Sequence, residues 1–392
     1  MSGLILDARP LQPGFKAHAQ RGIGRYAKNL LLALLELVDP GRVTFLVQAN
    51  LPEPELPAAI PRRRLPFLPG IFPVGKKLVS YHLLAPLWLG AGWRGERVTH
   101  FLCHLDAPSR PGPRAVLTVH DLIAQKMEAL YRGKRSGTRF RLERWLETRC
   151  LFSAAGLIAV SQCTRQDLAE LYGLAPESVR VIPEAADPGL APVEDPAARA
   201  AVLARLGLES GRFFLYLGGI DQRKGLSVLL EALADLARAG RPESLALVGR
   251  IDNDRQYPLL RAEIARLGLE DRVRELGYVP DADLPALFGE CAAFVFPSLY
   301  EGFGLPPLEA MACGAPVVAA RAGAVPEVVG SAGLLLEPGD ARGLARALLD
   351  LTARPELAAE LRARGLKQAA GFSWRRTAQE TLAVYREAGY GD

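Results

Sequence analysis

Two glutamates eight residues apart, Glu301 and Glu309, carry the strongest chemical signal in the 392-residue chain. Gly302, Phe303, Gly304 and Leu305 lie between them, followed by Pro306-Pro307. The apolar run Ala293–Phe296 predicts a strand before this stretch, and Pro307–Ala312 predicts a helix after it. The amides of Gly302–Leu305 then become unpaired backbone donors at a helix N-terminus, where the aligned peptide dipoles favour anions. Ionised carboxylates accept strongly from hydroxyls. Acids flanking such amides therefore suit sugar or ribose hydroxyls together with phosphate oxygens. A second signal is Arg223-Lys224, inside Gly218–Gly225 and directly after a predicted strand, Phe213–Leu217. Arginine brings a fork of donors and lysine a point charge, a combination that suits a diphosphate. Arg250, after the predicted strand Ser244–Val248, can add to this clamp or approach a base. His120-Asp121 ends a third predicted strand, Ala115–Val119, and places a group that titrates near neutrality at a strand's carboxyl end.

Gly22-Ile23-Gly24-Arg25-Tyr26-Ala27 has the G-x-G-x-x-A spacing of a dinucleotide fingerprint and opens a predicted helix, Gly24–Leu37. The context argues against an NAD dehydrogenase. The glycines lie fifteen residues beyond Asp7 instead of directly after the first predicted strand, Gly3–Asp7, and the next strand, Val43–Gln48, does not end in an acid. The reading adopted is a glycine-rich loop close to a diphosphate and an acceptor, with Arg21 and Arg25 available to phosphate. Asp281-Ala282-Asp283 has a D-x-D spacing used elsewhere to bind a metal, but its place before a predicted helix reads as an N-cap.

The elements that must position these residues are Val-, Ile-, Leu- and Phe-rich strands alternating with amphipathic helices along nearly the whole chain. That alternation predicts parallel sheets covered by helices on both faces. Two such series, separated by the proline-rich stretch Pro183–Gly211, predict two doubly wound α/β domains with the site in the cleft between them. A composition of 49% hydrophobic and 23% charged residues excludes disorder. No window has the roughly 18 unbroken apolar residues of a spanning helix, and the N-terminus does not read as a signal peptide. Five cysteines without a C-x-x-C pair disfavour a disulfide framework or zinc site and fit a reducing cytoplasm. The net charge of +5 is uneven: residues 1–185 hold 25 Lys and Arg against 15 Asp and Glu, and the remainder 23 against 28. The first half is thus expected to meet something anionic.

The segment from Pro297 to Val318, continuing through Ala324-Val325-Pro326-Glu327 to Asp340, resembles the E-x7-E signature of retaining glycosyltransferases of family 4. The resemblance covers most of the chain and implies the GT-B architecture, two Rossmann-like domains facing across a cleft. The domains expected are 1–185 on the acceptor side, with a C-terminal helix 373–390 crossing back onto it, and 186–372 for the nucleotide-sugar. It further implies that Glu309 binds the nucleotide ribose, that Glu301 sits by the donor sugar, and that Gly302, Phe303, Gly304 and Leu305 meet sugar hydroxyls and diphosphate. Arg223 and Lys224 would hold the diphosphate and stabilise the departing nucleoside diphosphate. Some relatives carry another arginine where this chain has Gly219, which shifts charge-bearing to Arg223. His120 would hydrogen-bond the donor sugar, with Asp121 and Arg25 on the acceptor side. Gly22, Gly24, Arg250, Tyr278 and Val279 would border the donor.

The resemblance implies transfer with retention, no metal and no cofactor, with cations and a helix dipole in the metal's place. The donor expected is GDP-mannose, UDP-sugars remaining open, and the acceptor a glycan or lipid-linked hydroxyl in polysaccharide assembly. A basic and aromatic stretch within residues 62–145 is expected to meet a membrane surface. It comprises Arg62–Arg64, Phe67, Leu68, Ile71, Phe72, Lys76, Lys77 and the Arg132–Arg149 region. Localisation is then cytoplasmic, peripheral at the inner face of the membrane, with no nucleic-acid partner. Two rivals stand beside the transferase: a UDP-sugar 2-epimerase on the same architecture, and a non-catalytic nucleotide-sugar-binding protein.

Overall fold

The computed structural model of the chain describes residues 3–16, 22–66, 97–131, 145–252 and 254–391. It divides into two compact units, Met1–Glu184 with Ser373–Asp392, and Ala185–Phe372.

In the first unit the described strands are β1 (Leu4–Asp7), β2 (Val43–Gln48), β3 (Arg62–Leu65), β4 (Val98–Phe101), β5 (Ala115–Val119), β6 (Gly156–Ala159) and β7 (Val179–Val181). All pair in parallel in the order β3-β2-β1-β4-β5-β6-β7, so the winding direction reverses between β1 and β4. Strands β1, β4 and β5 are buried along their whole length, and the polar residues they carry, Asp7, Thr99, His100 and Thr118, are buried with them. Helix α1 (Gly22–Leu35) and helix α2 (Gln162–Tyr172) flank the sheet, α2 beginning at Ser161, whose hydroxyl accepts from the Thr164 amide. Strand β3 departs from the sequence reading, which took Arg62–Arg64 as part of a basic surface. It is an edge strand paired with β2, and the Arg62 guanidinium lies over Phe45 and donates to the Pro57 and Leu56 carbonyls.

The second unit repeats the design. Strands β8 (Phe213–Leu217), β9 (Ser244–Val248), β10 (Val273–Gly277), β11 (Ala293–Phe296), β12 (Val317–Ala320) and β13 (Leu334–Leu336) form a parallel sheet ordered β10-β9-β8-β11-β12-β13. The reversal here falls between β8 and β11. Between the strands run α3 (Pro196–Leu206), α4 (Leu226–Arg238), α5 (Tyr257–Arg266), α6 (Leu284–Glu290), α7 (Leu305–Ala312) and α8 (Val325–Val329); α9 (Ala341–Ala353) and α10 (Pro355–Ala369) follow. The core on one sheet face gathers Phe214, Tyr216, Leu229, Leu233, Leu245, Val295 and Leu348 from β8, α4, β9, β11 and α9.

Helix α11 (Trp374–Glu387) returns the chain to the first unit and packs on α1 and β6. Gly156 lacks a Cβ where Val384 sits, and the buried Tyr385 hydroxyl pairs with His100 on β4. Both sheets are thus all-parallel and Rossmann-like, as the alternation predicts.

Candidate active site

In doubly wound sheets the loops leaving adjacent strands part at the point of reversal and open a crevice there. In the second unit those are the loops after β8 and β11, and they carry Arg223, Lys224 and Glu301. After β8, Asp221 turns the chain by accepting from the Arg223 amide, and Gln222–Lys224 form a single tight turn. Gly225 closes it with φ +65°, and any Cβ there would overlap the Pro297 carbonyl. Only glycine permits that approach, and it locks the two loops together. Leu299 completes the stitch by donating its amide to the Arg223 carbonyl at 2.7 Å.

The result is a compact charged cluster. One carboxylate oxygen of Glu301, Oε1, accepts from the Arg223 guanidinium at 2.8 Å and from Lys224 Nζ at 2.8 Å. Arg223 also donates to the Tyr300 carbonyl at 2.7 Å, and Lys224 Nζ sits 5.4 Å from the centre of the Phe296 ring. The three side chains are only 13%, 17% and 13% exposed for Arg223, Lys224 and Glu301. Burial pushes the Glu301 carboxyl upward, but Lys224 and Arg223, helped by hydrogen bonds from Lys224 and Ser298, hold it below the usual carboxylate range. It stays ionised at neutral pH.

Glu301 is anchored from behind as well. The Ala324 amide donates to its carbonyl at 3.0 Å, and Gly323, at φ +55°, has no Cβ where the Glu301 peptide lies. The amides of the following turn lead into α7, which starts at Leu305 rather than the expected Pro307. The two prolines fall in the first turn, where a missing N–H costs nothing. Gly304, at φ +117°, precedes that turn. Glu309 lies on α7 and is 1% exposed, and Phe303 packs edge-on against Phe372 at 6.0 Å.

Neighbouring loops extend the site sideways. The Gly249 amide donates to the Gly277 carbonyl at 2.8 Å, and the Gly218 amide to that of Val248 at 2.9 Å, so the ends of β8, β9 and β10 run together. Arg250 stacks over the exposed Tyr278 ring at 4.7 Å, while Val279 is buried. The structure therefore gathers Arg223, Lys224 and Glu301 into direct contact, places Gly302–Leu305 and Glu309 on the same loop and helix, and sets Arg250, Tyr278 and Val279 on adjoining strand ends. Asp283 stands at the start of α6 but does not cap it; its carboxylate pairs with Arg205.

In the first unit His120 and Asp121 follow β5, and Gly22, Gly24 and Arg25 begin α1. The two regions meet through Tyr26, whose ring stands edge-on to the His120 ring at 4.6 Å. Both ring nitrogens of His120 have partners within the unit. Nε2 pairs with the Leu102 carbonyl at 2.8 Å and Nδ1 with Glu184 Oε1 at 3.0 Å. Asp121 accepts from the Ile123 amide at 3.1 Å.

Sequence reasoning missed Glu184 and Gly323. A glutamate two residues after the predicted strand Val179–Ile182 was a faint signal for the first, and a glycine between alanines gave none for the second. Arg21 beside the glycine-rich loop lies outside the described residues, as do Phe67, Leu68, Ile71, Phe72, Lys76, Lys77 and Arg132–Arg144 of the basic and aromatic stretch. Within them, Trp145 is 53% exposed with Arg149 stacked on its ring, while Arg64 pairs with Glu53. Among the described residues no helix is long and apolar enough to cross a membrane.

Residues 203–368 match the family described as glycosyl transferases group 1, and residues 20–190 match glycosyltransferase family 4. The O-antigen chain mannosyltransferase B of Escherichia coli is 34% identical over 276 residues, which cover 70% of this chain and 70% of that protein. The D-inositol 3-phosphate glycosyltransferase of Saccharomonospora viridis is 34% identical over 293 residues, 72% of this chain; the match spans 66% of that relative. Among solved structures, HepE of Anabaena in complex with UDP-glucose aligns with a TM-score of 0.73 at 23% identity, over 98% of this chain and 99% of that one, a likeness of fold.

Proposed function

The chain belongs to glycosyltransferase family 4, with the two Rossmann-like units of the GT-B architecture, and from that premise we propose that it moves mannose from GDP-mannose to a hydroxyl of a glycan or lipid-linked acceptor, with retention of configuration and without a metal. The observation that carries this reading is the double cation held on one carboxylate at the point of reversal in the second unit. Arg223 and Lys224 are two adjacent positive charges in a partly desolvated loop, positioned and neutralised by Glu301. A donor diphosphate offers them a better partner with more negative charge. Taking it releases Glu301 toward the hydroxyls of the attached sugar.

In the transfer step the bond between the anomeric carbon and the diphosphate oxygen breaks, and its electron pair leaves with the nucleoside diphosphate. The acceptor oxygen bonds to the same face of the anomeric carbon, and its proton passes to the departing phosphate oxygen. Arg223, Lys224 and the Gly302–Leu305 amides stabilise the growing negative charge, and Glu301 the positive charge on the sugar ring. Glu309 accepts from the ribose hydroxyls. Arg250, Tyr278 and Val279 border the base, and Gly22 and Gly24 the diphosphate. His120 bonds the sugar, with Asp121 and Arg25 on the acceptor side. The mannosyltransferase named among the relatives favours mannose, and the UDP-glucose of the Anabaena structure keeps a uridine donor as the second choice. The stretch 62–145, with exposed Trp145, brings the protein to the cytoplasmic face of a membrane that holds the acceptor.

A thermal-shift panel of GDP, UDP, ADP and dTDP with their sugars tests the donor. A ligand that binds only the folded chain stabilises it by about 2.7 kcal/mol at one hundred times its Kd. GDP-mannose is expected to raise the melting temperature most and UDP-hexoses less. A flat response to every nucleotide would overturn the reading. Nucleoside diphosphate set free without any acceptor would instead favour the 2-epimerase.

A further inference from the structure

The transfer scheme does not yet use the buried contact between His120 and Glu184 in the first unit. His120 is 8% exposed and Glu184 5%. The Leu102 carbonyl can only accept, so Nε2 of His120 carries a proton, and Nδ1 faces the Glu184 carboxyl oxygen Oε1 at 3.0 Å. A second proton, on Nδ1, makes the ring an imidazolium whose partner is Glu184. Other groups face the ring from the elements packed against it. From α1 it faces Tyr26, which burial keeps as a phenol whose hydroxyl pairs with Thr118 at 2.9 Å. From β4 and the residues after it come His100, pushed down to about 3 by burial and by the charge on His120, and Cys103, whose thiol burial keeps protonated. Thr164 of α2 donates to the His120 carbonyl at 3.3 Å, and Asp121 follows in the chain. Of the two acids near the ring, Glu184 bonds a ring nitrogen and Asp121 accepts from the Ile123 amide. Glu184 is itself fixed in place: it is the last residue of the first unit, and the Pro183 carbonyl before it accepts from Thr377 Oγ1 of α11 at 2.8 Å.

We propose that Glu184 is a positioning residue for His120, holding the imidazole doubly protonated and oriented so that Nε2–H stands at the carboxyl end of β5 as a charged donor. The Leu102 carbonyl accepts that proton within the unit, and in transfer a sugar oxygen competes for it. A charged donor forms a hydrogen bond about twice as strong as a neutral one, which is the gain Glu184 supplies. Burial alone pushes the His120 ring down, and Glu184, with the Leu102 carbonyl and Asp121, raises it above the ordinary histidine value. The proposal rests on His120 acting in transfer, as described above.

The test combines Glu184→Gln, which keeps shape but loses charge, with Glu184→Asp, which keeps charge. Two quantities are read in the full chain: the His120 titration by NMR of ring-labelled histidine, and kcat and KM across pH 6 to 8.5 as variant-to-wild-type ratios. In Glu184→Gln the ring is expected to titrate below the ordinary histidine range. Its kcat should fall roughly 10- to 100-fold at the alkaline end, recover toward pH 6, and leave donor KM little changed. Glu184→Asp should restore both the titration and the rate. An unmoved titration overturns the proposal. So does a loss of rate that is the same at every pH and tracks a lowered melting temperature, since that marks Glu184 as a brace only. If the wild-type chain transfers no sugar, the functional reading falls separately, and the titration still decides whether Glu184 holds the charge on His120.

Discussion

Replacing Arg223 and Lys224 together with alanine is expected to lower kcat/KM for sugar transfer by roughly 10³- to 10⁵-fold, the range found when cations that stabilise a departing phosphate are removed. Nucleotide-induced thermal stabilisation should vanish with it. The structure adds a second consequence. Both cations bond the same Glu301 oxygen, so the double variant strands a buried carboxylate. Breaking a buried pair from one side costs about 3–5 kcal/mol, and the stranded acid should respond by taking up a proton. The variant with Glu301→Gln added should therefore regain melting temperature while transfer stays absent. Steady-state kinetics beside a denaturant titration separates the two effects. Recovery of transfer in the triple variant, or unchanged kinetics in the double, would refute the clamp.

Glu301→Gln alone should move binding and chemistry in opposite directions. Without the competing carboxylate, Arg223 and Lys224 meet the diphosphate unopposed, so nucleoside diphosphates should bind as tightly as before or tighter. The sugar loses its anionic partner in the transition state, and kcat should fall by about 100-fold or more. Calorimetric binding and turnover measured on the same sample check this. The variant should also lose the wild type's acid sensitivity. A carboxylate held below its ordinary value of 4.5 stabilises the fold fully above that value. That contribution is lost as pH falls through the lower folded value. From pH 5 to pH 3, wild type should therefore lose more stability than Glu301→Gln.

What could be read in advance follows the range of the interactions involved. Glu301, Glu309 and the glycines between them lie within one strand–loop–helix passage, and Arg223-Lys224 occupy a single turn, so type and spacing announce them. The alternation of buried strands and amphipathic helices likewise announces two parallel sheets, because strands buried on both faces are mainly apolar. Glu184 was illegible because its meaning lies in His120, 64 positions earlier, and a glutamate after a strand ordinarily reads as solvated. Gly323 was silent because its role is the room it leaves for the Glu301 peptide. Three consecutive arginines gave no sign of the strand β3, although an edge strand tolerates charge and Arg62 finds backbone carbonyls and the Phe45 ring. The docking of α11 on α1 and β6 was legible only through the family resemblance, since nothing in Trp374–Glu387 itself names the unit it covers.

The most direct measurement is a crystal structure of the full chain with GDP or UDP bound. The diphosphate is expected within hydrogen-bond distance of Arg223, Lys224 and the Gly302–Leu305 amides, the ribose hydroxyls on Glu309, and the Glu301 carboxylate released from at least one cation. A nucleotide bound elsewhere, with Glu301 still closed on both Arg223 and Lys224, would contradict the assignment.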